Sequence, residues 1–135
     1  MGASSYNTFD NDDVADWVAD LEDSTDMSVI LEALKGVTDD AEDYIESPEC
    51  LNAIIAAEVV AALNGSASDD LPESVRDWVA GRPKPDAKLK AKAHNALDVI
   101  LADSELKELW EDNTEDYPKW VACLNDIKTR ISNTG

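Results

Sequence analysis

Residues that bind metals or perform redox chemistry are scarce in this chain, which holds one histidine and two cysteines among 135 residues. His94 stands alone, and Cys50 and Cys123 lie 73 positions apart, so neighbouring residues supply no familiar set of zinc ligands. We therefore expect no metal ion and no cofactor. The simplest interpretation of both cysteines is that they are buried, reduced thiols of a cytoplasmic protein.

Motifs of known catalytic sites are also missing. The chain has no glycine-rich phosphate loop, no Gly-x-Ser-x-Gly turn and no cysteine–histidine pairing at a familiar spacing. Its most apolar stretch, Ile54 to Leu63, is far shorter than the ~20 residues that span a bilayer. The N-terminal residues carry neither the basic leader nor the apolar run of a signal peptide, so we expect a cytoplasmic domain without a membrane segment.

Basic residues are few, and they are unevenly distributed. Eleven Lys and Arg stand against 30 Asp and Glu, which gives a formal net charge of −19. Residues 1–50 hold 15 acids and one base, residues 51–81 hold five acids and one base, and residues 82–135 hold ten acids and nine bases. Nucleic-acid binding needs clustered Lys and Arg, and an anionic membrane repels a surface of this charge. We expect neither as a partner.

The one basic patch is formed by Lys84, Lys88, Lys90 and Lys92. In so acidic a chain we expect these lysines to pair with the molecule's own carboxylates rather than with phosphate. His94 lies on the lysine-bearing side of the same predicted helix, so we expect it to be exposed to solvent.

Apolar residues recur at helical spacing through most of the sequence. The first such stripe has the spacing i, i+3, i+4, i+7 and consists of Val14, Trp17, Val18 and Leu21. No stretch alternates with period two for long, so strands are not needed. We predict an all-α fold: a single compact domain over residues 1–135, with six or seven helices around a central apolar helix at about residues 48–64. Residues 1–9 are expected to be irregular, and residues 82–85 to form a short proline-rich connector.

Capping residues mark where several helices begin and end. Asp10 or Asn11 can cap the first helix, and the second is predicted to run from Thr25 or Asp26 to a stop at Gly36. Further expected boundaries are an end at Gly65, caps at Asp86 and Asp103-Ser104, and a start at Pro118.

The segment FDNDDVADW, residues 9–17, is the densest acidic cluster. A calcium loop of the EF-hand type is disfavoured, because Val14 stands where a third oxygen ligand is needed and no glycine follows. A helix start with carboxylates in its first turn explains these residues. The alternative is an acidic face that binds a partner. Its candidate residues are Asp10, Asp12, Asp13, Asp16, Asp20, Asp39, Asp40 and Asp43.

Glu58 is predicted to lie among the bulky residues of the central helix, between Leu51, Ile54 and Ile55. A buried carboxylate must be paired, hydrogen-bonded or protonated. We expect a structural buried acid that accepts hydrogen bonds from backbone amides or from an indole. The alternative is a general acid or base, but no second carboxylate or histidine partner is evident in the sequence.

One family of bacterial proteins shares a set of positions and segments with this sequence, in the same order: Phe9, Asn11, Asp12, Asp16, Trp17, Ala56 to Gly65, Leu71 to Val79, Asp103 to Asp112 and Trp120. Through these matches the sequence resembles the small bacterial proteins known as domain of unknown function 4259. The sequence departs from the family pattern near its start, where Ser4, Ser5 and Asn7 stand in place of Trp, Gly and Gly. The resemblance implies an all-helical bacterial cytoplasmic domain, and it brings no established activity.

Three functions are compatible with these features. The first is a non-enzymatic interaction domain of the immunity or antitoxin type, whose acidic face binds and neutralises a basic toxin domain. The second is a cytoplasmic domain whose acidity is a solvation adaptation to high salt, since Asp outnumbers Glu by 19 to 11. The third is a small enzyme that uses Glu58. The sequence leaves the oligomeric state open.

Overall fold

Seven α-helices make up the described parts of the chain. The computed structural model describes residues 12–24, 28–38, 47–65, 73–82, 84–102, 104–112 and 114–132, with backbone alone for 12–15 and 47–48. No strand occurs in these ranges, and the chain forms one all-α domain, as predicted. The helices are α1 (Asp12–Asp23), α2 (Ser28–Thr38), α3 (Ser47–Leu63), α4 (Glu73–Ala80), α5 (Ala87–Ala102), α6 (Glu105–Glu111) and α7 (Tyr117–Ser132).

Helix α3 is the centre of the fold, as its apolar sequence predicts. It packs against each of the other helices, so its apolar side chains are covered on every side. Ile55, Val59 and Val60 are fully inaccessible to solvent, and Ile54 is 2% exposed. Burial of one such side chain stabilises a fold by about 1.5–3 kcal/mol. A row of apolar residues on α3 therefore organises the whole core.

Three of the predicted helix boundaries are confirmed in detail. The Asp86 carboxylate accepts a hydrogen bond from the backbone N–H of Leu89 at 2.8 Å and so caps the start of α5. The Ser104 hydroxyl accepts one from the N–H of Lys107 at 3.1 Å at the start of α6. Gly65 follows α3 with φ of 91°, a left-handed conformation that glycine adopts without strain. The caps predicted at Asp10, Asn11, Thr25 and Asp26 lie outside the described residues.

The predicted end of the second helix at Gly36 is wrong, because α2 continues to Thr38. Val37 is fully buried in the core, so the continuation of α2 beyond Gly36 buries one more apolar side chain. The Thr38 hydroxyl also donates to the carbonyl of Leu34 at 3.2 Å, one turn earlier. Burial of Val37 outweighs the small helix penalty of a glycine.

The two cysteines differ in exposure. Cys50 is fully buried, whereas Cys123 is only half-buried, so the expectation that both thiols are buried is wrong for Cys123. Neither of these two cysteines forms a disulfide bond. Burial raises the pKa of the Cys50 thiol, and the nearby charges of Glu49 and Glu105 raise it further, against the opposing effect of its hydrogen bonds to Ser104 and Leu106.

We expect a thiol reagent to modify Cys123 first and to leave Cys50 unmodified in the folded protein, with rates that differ by about 100-fold or more. The raised pKa of Cys50 adds stability that is complete below the pKa of an unfolded thiol, about 8.5, and is lost as the pH rises through the folded value. Labelling between neutral and alkaline pH, with Cys123→Ser as the control that reports on Cys50 alone, measures both effects. Equal labelling of the two thiols would contradict this assignment.

Two kinds of structure are not found within the described ranges. No helix there has both the length and the apolar character needed to cross a bilayer. No group of three or more His, Cys, Asp or Glu side chains is arranged there to hold a metal ion.

Candidate functional site

A groove of about 690 Å³ lies between α1 and α2. Carboxylates from both helices border it, and we call it the acidic groove. Its polar lining consists of Asp20, Asp23, Ser24, Ser28, Glu32 and Asn52, and its apolar lining consists of Trp17, Val29 and Ala33. Trp17 is only 7% exposed, so its ring belongs to the core and forms part of the groove floor.

The carboxylates of the groove have no cationic partners in the described part of the chain. No Lys, Arg or His nitrogen there lies within 4.0 Å of a carboxylate oxygen of Asp20, Asp23 or Glu32. The last turn of α1 carries no basic residue either. Carboxylates at a helix C-terminus are disfavoured by the helix dipole, so the positions of Asp20 and Asp23 do not help α1 to fold.

The C-terminal end of α1 is held in place by α4 and the residues after it. The carbonyl of Ser24 accepts hydrogen bonds from the Trp78 indole at 3.0 Å and from a terminal nitrogen of Arg82 at 3.2 Å. The Arg82 guanidinium also lies 4.1 Å from the centre of the Trp78 ring, which is a cation–π contact. These contacts anchor Ser24, which lines the acidic groove, to the rest of the domain.

The eight aspartates predicted to form a partner-binding face have different positions. Asp20 borders the acidic groove, and Asp16 is exposed one turn earlier on α1. Asp12 and Asp13 lie in the first turn of α1, where only the backbone is described. The other four lie outside the described residues: Asp10, Asp39, Asp40 and Asp43. The structure therefore places Asp20 in the lining of the acidic groove, and Asp16 is not one of the lining residues.

Two acids of the groove were missed by sequence reasoning. Asp23 follows Asp20 by three positions on α1, so helical spacing alone could have placed both on one face. Glu32 belongs to α2, and its approach to α1 depends on how the two helices pack. No local sequence signal reports that packing.

Glu58 forms an ion pair with Arg130 of α7. Its Oε1 accepts a hydrogen bond from an Arg130 guanidinium nitrogen at 2.7 Å, and the two side chains are 13% and 19% exposed. The Arg130 Nε donates to Asp126 at 2.9 Å. Burial alone would lower the pKa of Arg130, but the charges of Glu58 and Asp126 and their hydrogen bonds outweigh it and raise that pKa. The guanidinium thus stays charged beside Glu58.

Asn64 makes a second connection between α3 and α7. Its side-chain amide donates to the carbonyls of Arg130 and Ile131, at 3.0 Å and 3.2 Å, near the end of α7. Carbonyls in the last turn of a helix generally need partners from outside the helix, and the Asn64 amide supplies this kind of cap. One partner of Glu58 is therefore a side chain on an anchored helix, and the sequence did not indicate this partner.

The lysine patch and His94 differ in their contacts. No ion pair joins Lys84, Lys88, Lys90 or Lys92 to any carboxylate in the described ranges, so the expected internal pairing is not observed there. His94 has a side chain that is 38% exposed, and its Nδ1 lies 3.2 Å from a carboxylate oxygen of Asp98.

These features define the class of protein. It is an all-α domain that is built on one central apolar helix and is bordered by an acidic groove. The family model described as Domain of unknown function (DUF4259) matches residues 2–122 of the 135. The chain belongs to this family, which confirms the resemblance noted in its sequence. No curated protein and no solved structure matches the chain. The family description gives no activity, so the function must be argued from the site.

Proposed function

We propose that this chain is a non-enzymatic, cytoplasmic interaction domain of the immunity or antitoxin type, and that its acidic groove binds a basic segment of a toxin domain. The observation that carries the proposal is the set of groove carboxylates without cationic neighbours in the described ranges: Asp20, Asp23 and Glu32. Asp20 and Asp23 do not stabilise α1, so a partner that supplies positive charge explains these two acids better than folding does.

The size and lining of the acidic groove favour a protein segment over a small ion. A volume of about 690 Å³ can hold several side chains, and the apolar floor at Val29 and Ala33 gives them something to pack against. A polar rim around an apolar centre is the usual anatomy of a protein interface. The net charge of −19 would accelerate encounter with a basic partner and would make association depend on salt.

The pairing of Glu58 with Arg130 argues against the enzyme alternative. A carboxylate held in an ion pair at 2.7 Å already has a structural partner and is less available for proton transfer. The solvation alternative makes a different prediction. If the acidity serves only to retain water in a salty cell, thermal stability should rise steeply into molar salt, and no basic partner is needed.

The test compares two triple variants that remove the same number of charges. The groove variant is Asp20→Asn, Asp23→Asn and Glu32→Gln, and the control is Glu108→Gln, Asp112→Asn and Glu115→Gln, which are exposed residues outside the groove. The parent chain is used to capture a basic protein from the source cell at about 50 mM salt, and the protein is released at about 500 mM salt. The released protein is then purified, and its affinity for each variant is measured.

We expect the groove variant to bind the basic protein at least about 10-fold more weakly, with a slower association rate, and the control to stay within about two-fold of the parent. The parent chain, but not the groove variant, should also restore growth to cells that express the captured protein. Equal losses for both variants would mean that net charge alone matters. A partner that is not basic, or a chain that fails to protect cells, would contradict the proposal.

A further inference from the structure

A second cavity, of about 350 Å³, lies between α2 and the start of α5 and shares no lining residue with the acidic groove. We call it the lysine pocket. Its apolar lining comes from Leu31 of α2 and from Pro85 and Leu89 at the start of α5. Leu89 is 8% exposed and belongs to the core, so the floor of this pocket is part of the packed interior.

Three lysine side chains line the lysine pocket: those of Lys84, Lys88 and Lys92. Lys88 and Lys92 are four residues apart on α5 and therefore lie on one helix face. Lys90 is on the opposite side of α5, where it lines a different cavity with His94.

Asp86 is the one acid among the described residues that line the lysine pocket, and its carboxylate accepts from the Leu89 N–H as a helix cap. The three pocket lysines have no carboxylate within 4.0 Å in the described ranges. That is unusual in a chain with 30 acids and 11 bases, where nearby carboxylates are the expected partners of lysine.

Lysine stems often cover apolar surface while the ammonium group stays in water. If the lysine stems only covered apolar surface, they would leave no space over Leu31, Pro85 and Leu89. Here the cavity stays open with all three stems along its edge, and its volume is within the range of about 300–1,000 Å³ that small-molecule sites occupy. At about 30 Å³ for each water-sized group, it can hold a ligand of roughly a dozen non-hydrogen atoms.

The geometry points to a binding site for a small amphiphilic anion in the lysine pocket: a carboxylate or phosphate monoester carried on a short apolar body. The body packs against Leu31, Pro85 and Leu89, and the anionic oxygens accept hydrogen bonds from the ammonium groups around the rim. The ligand needs an apolar body to pack against the floor of the pocket, and it needs a negative charge to interact with the lysines. A ligand that lacks either part therefore binds more weakly. This site is independent of the acidic groove and of the function proposed for it.

The experiment uses four probes and the intact chain. 3-Phenylpropionate and phenyl phosphate carry both parts, 3-phenylpropanol lacks the charge, and inorganic phosphate lacks the apolar body. Calorimetry gives the affinities, and amide chemical shifts locate the site. We expect saturable binding of the two amphiphilic anions, with the largest shifts around Leu89 and Lys92, and binding about five-fold weaker or more for the alcohol and for phosphate alone. Stronger binding of one amphiphilic anion than of the other identifies the preferred headgroup.

The variants Lys88→Met and Lys92→Met keep most of each stem and remove the ammonium group, and Lys90→Met on the opposite face is the matched control. Each pocket variant should weaken binding of the anions about five-fold, while Lys90→Met should leave the affinity unchanged. Equal losses for all three variants, equal affinity for the alcohol, or no saturable binding would overturn the assignment. So would a Lys88→Met variant that changes the oligomeric state of the free protein, because the lysines would then hold a second copy of the chain.

Discussion

Replacing Ile55 with alanine is expected to lower the free energy of unfolding by about 3 kcal/mol, the largest loss that we predict for a single substitution. Ile55 is inaccessible to solvent and lies on α3, which packs against every other helix. Its truncation removes buried methyl and methylene groups and leaves a cavity that seven packed helices cannot easily close. In a chain of 135 residues this corresponds to a melting temperature lower by roughly 10 °C.

The matched control is Leu109→Ala on α6, where the leucine side chain is 56% exposed. We expect that substitution to change stability by less than about 0.5 kcal/mol. Urea unfolding of both variants, followed by tryptophan fluorescence, gives the comparison. If Ile55→Ala prevents folding altogether, Ile55→Val should still cost about 1 kcal/mol, which remains measurable. Similar losses at positions 55 and 109 would show that α3 is not the centre of the core.

Local signals in the sequence were sufficient to predict most helices. Asp86 and Ser104 cap α5 and α6 through their own side chains, so the residue type alone marks each boundary. The stripe of Leu89, Ala93 and Leu97 is buried because helical spacing places these residues on one face. Such information lies within one or two turns of the chain, where a sequence can be interpreted without knowledge of the packing.

The errors arose where distant residues decide the outcome. Glycine usually ends a helix, but burial of Val37 against the core keeps α2 helical beyond Gly36. Cys123 fits an apolar position within its helix, yet no neighbouring helix covers its side chain fully. In both cases the tertiary environment outweighed the local preference of the residue.

The candidate site shows the same division between local and long-range information. The acidic character of α1 and the exposure of Asp16 and Asp20 follow from the order of residues on one helix. The acidic groove also needs Glu32 and Asn52, which come from α2 and α3. Only the packing of three helices brings these residues together, so the groove could not have been predicted from charge alone.

For Glu58, the sequence limits the possible roles of the carboxylate, and the packing of the helices identifies the role. Its position on the central helix indicates that the carboxylate must have a partner, but the partner is 72 residues away in the sequence. Arg130 reaches it because Asn64 and the α7 carbonyls hold the two helices together near their C-terminal ends. An acid tied to an anchored arginine contributes to stability, and this contribution can be measured.

Replacing Arg130 with methionine is therefore expected to lower the free energy of unfolding by about 2 kcal/mol, because it leaves the Glu58 carboxylate without its guanidinium partner. The loss should be smaller than the 3–5 kcal/mol typical of a fully buried pair, since the two side chains remain 13% and 19% exposed. Methionine keeps much of the apolar stem, so lost packing contributes little. The melting temperature should fall by roughly 7 °C.

A double-mutant cycle separates this ion pair from its surroundings. Glu58→Gln and Arg130→Met together should cost less than the sum of the single substitutions, by about 1 kcal/mol or more, because the second change removes a group already without its partner. Asp126→Asn is the control: its side chain is 66% exposed, so loss of its contact with Arg130 should cost less than about 0.5 kcal/mol. Additive losses at Glu58 and Arg130 would mean that the pair does not join α3 to α7. If the Glu58→Gln protein keeps full stability, the carboxylate does not contribute to the structure. That result would support the alternative in which Glu58 is a general acid or base.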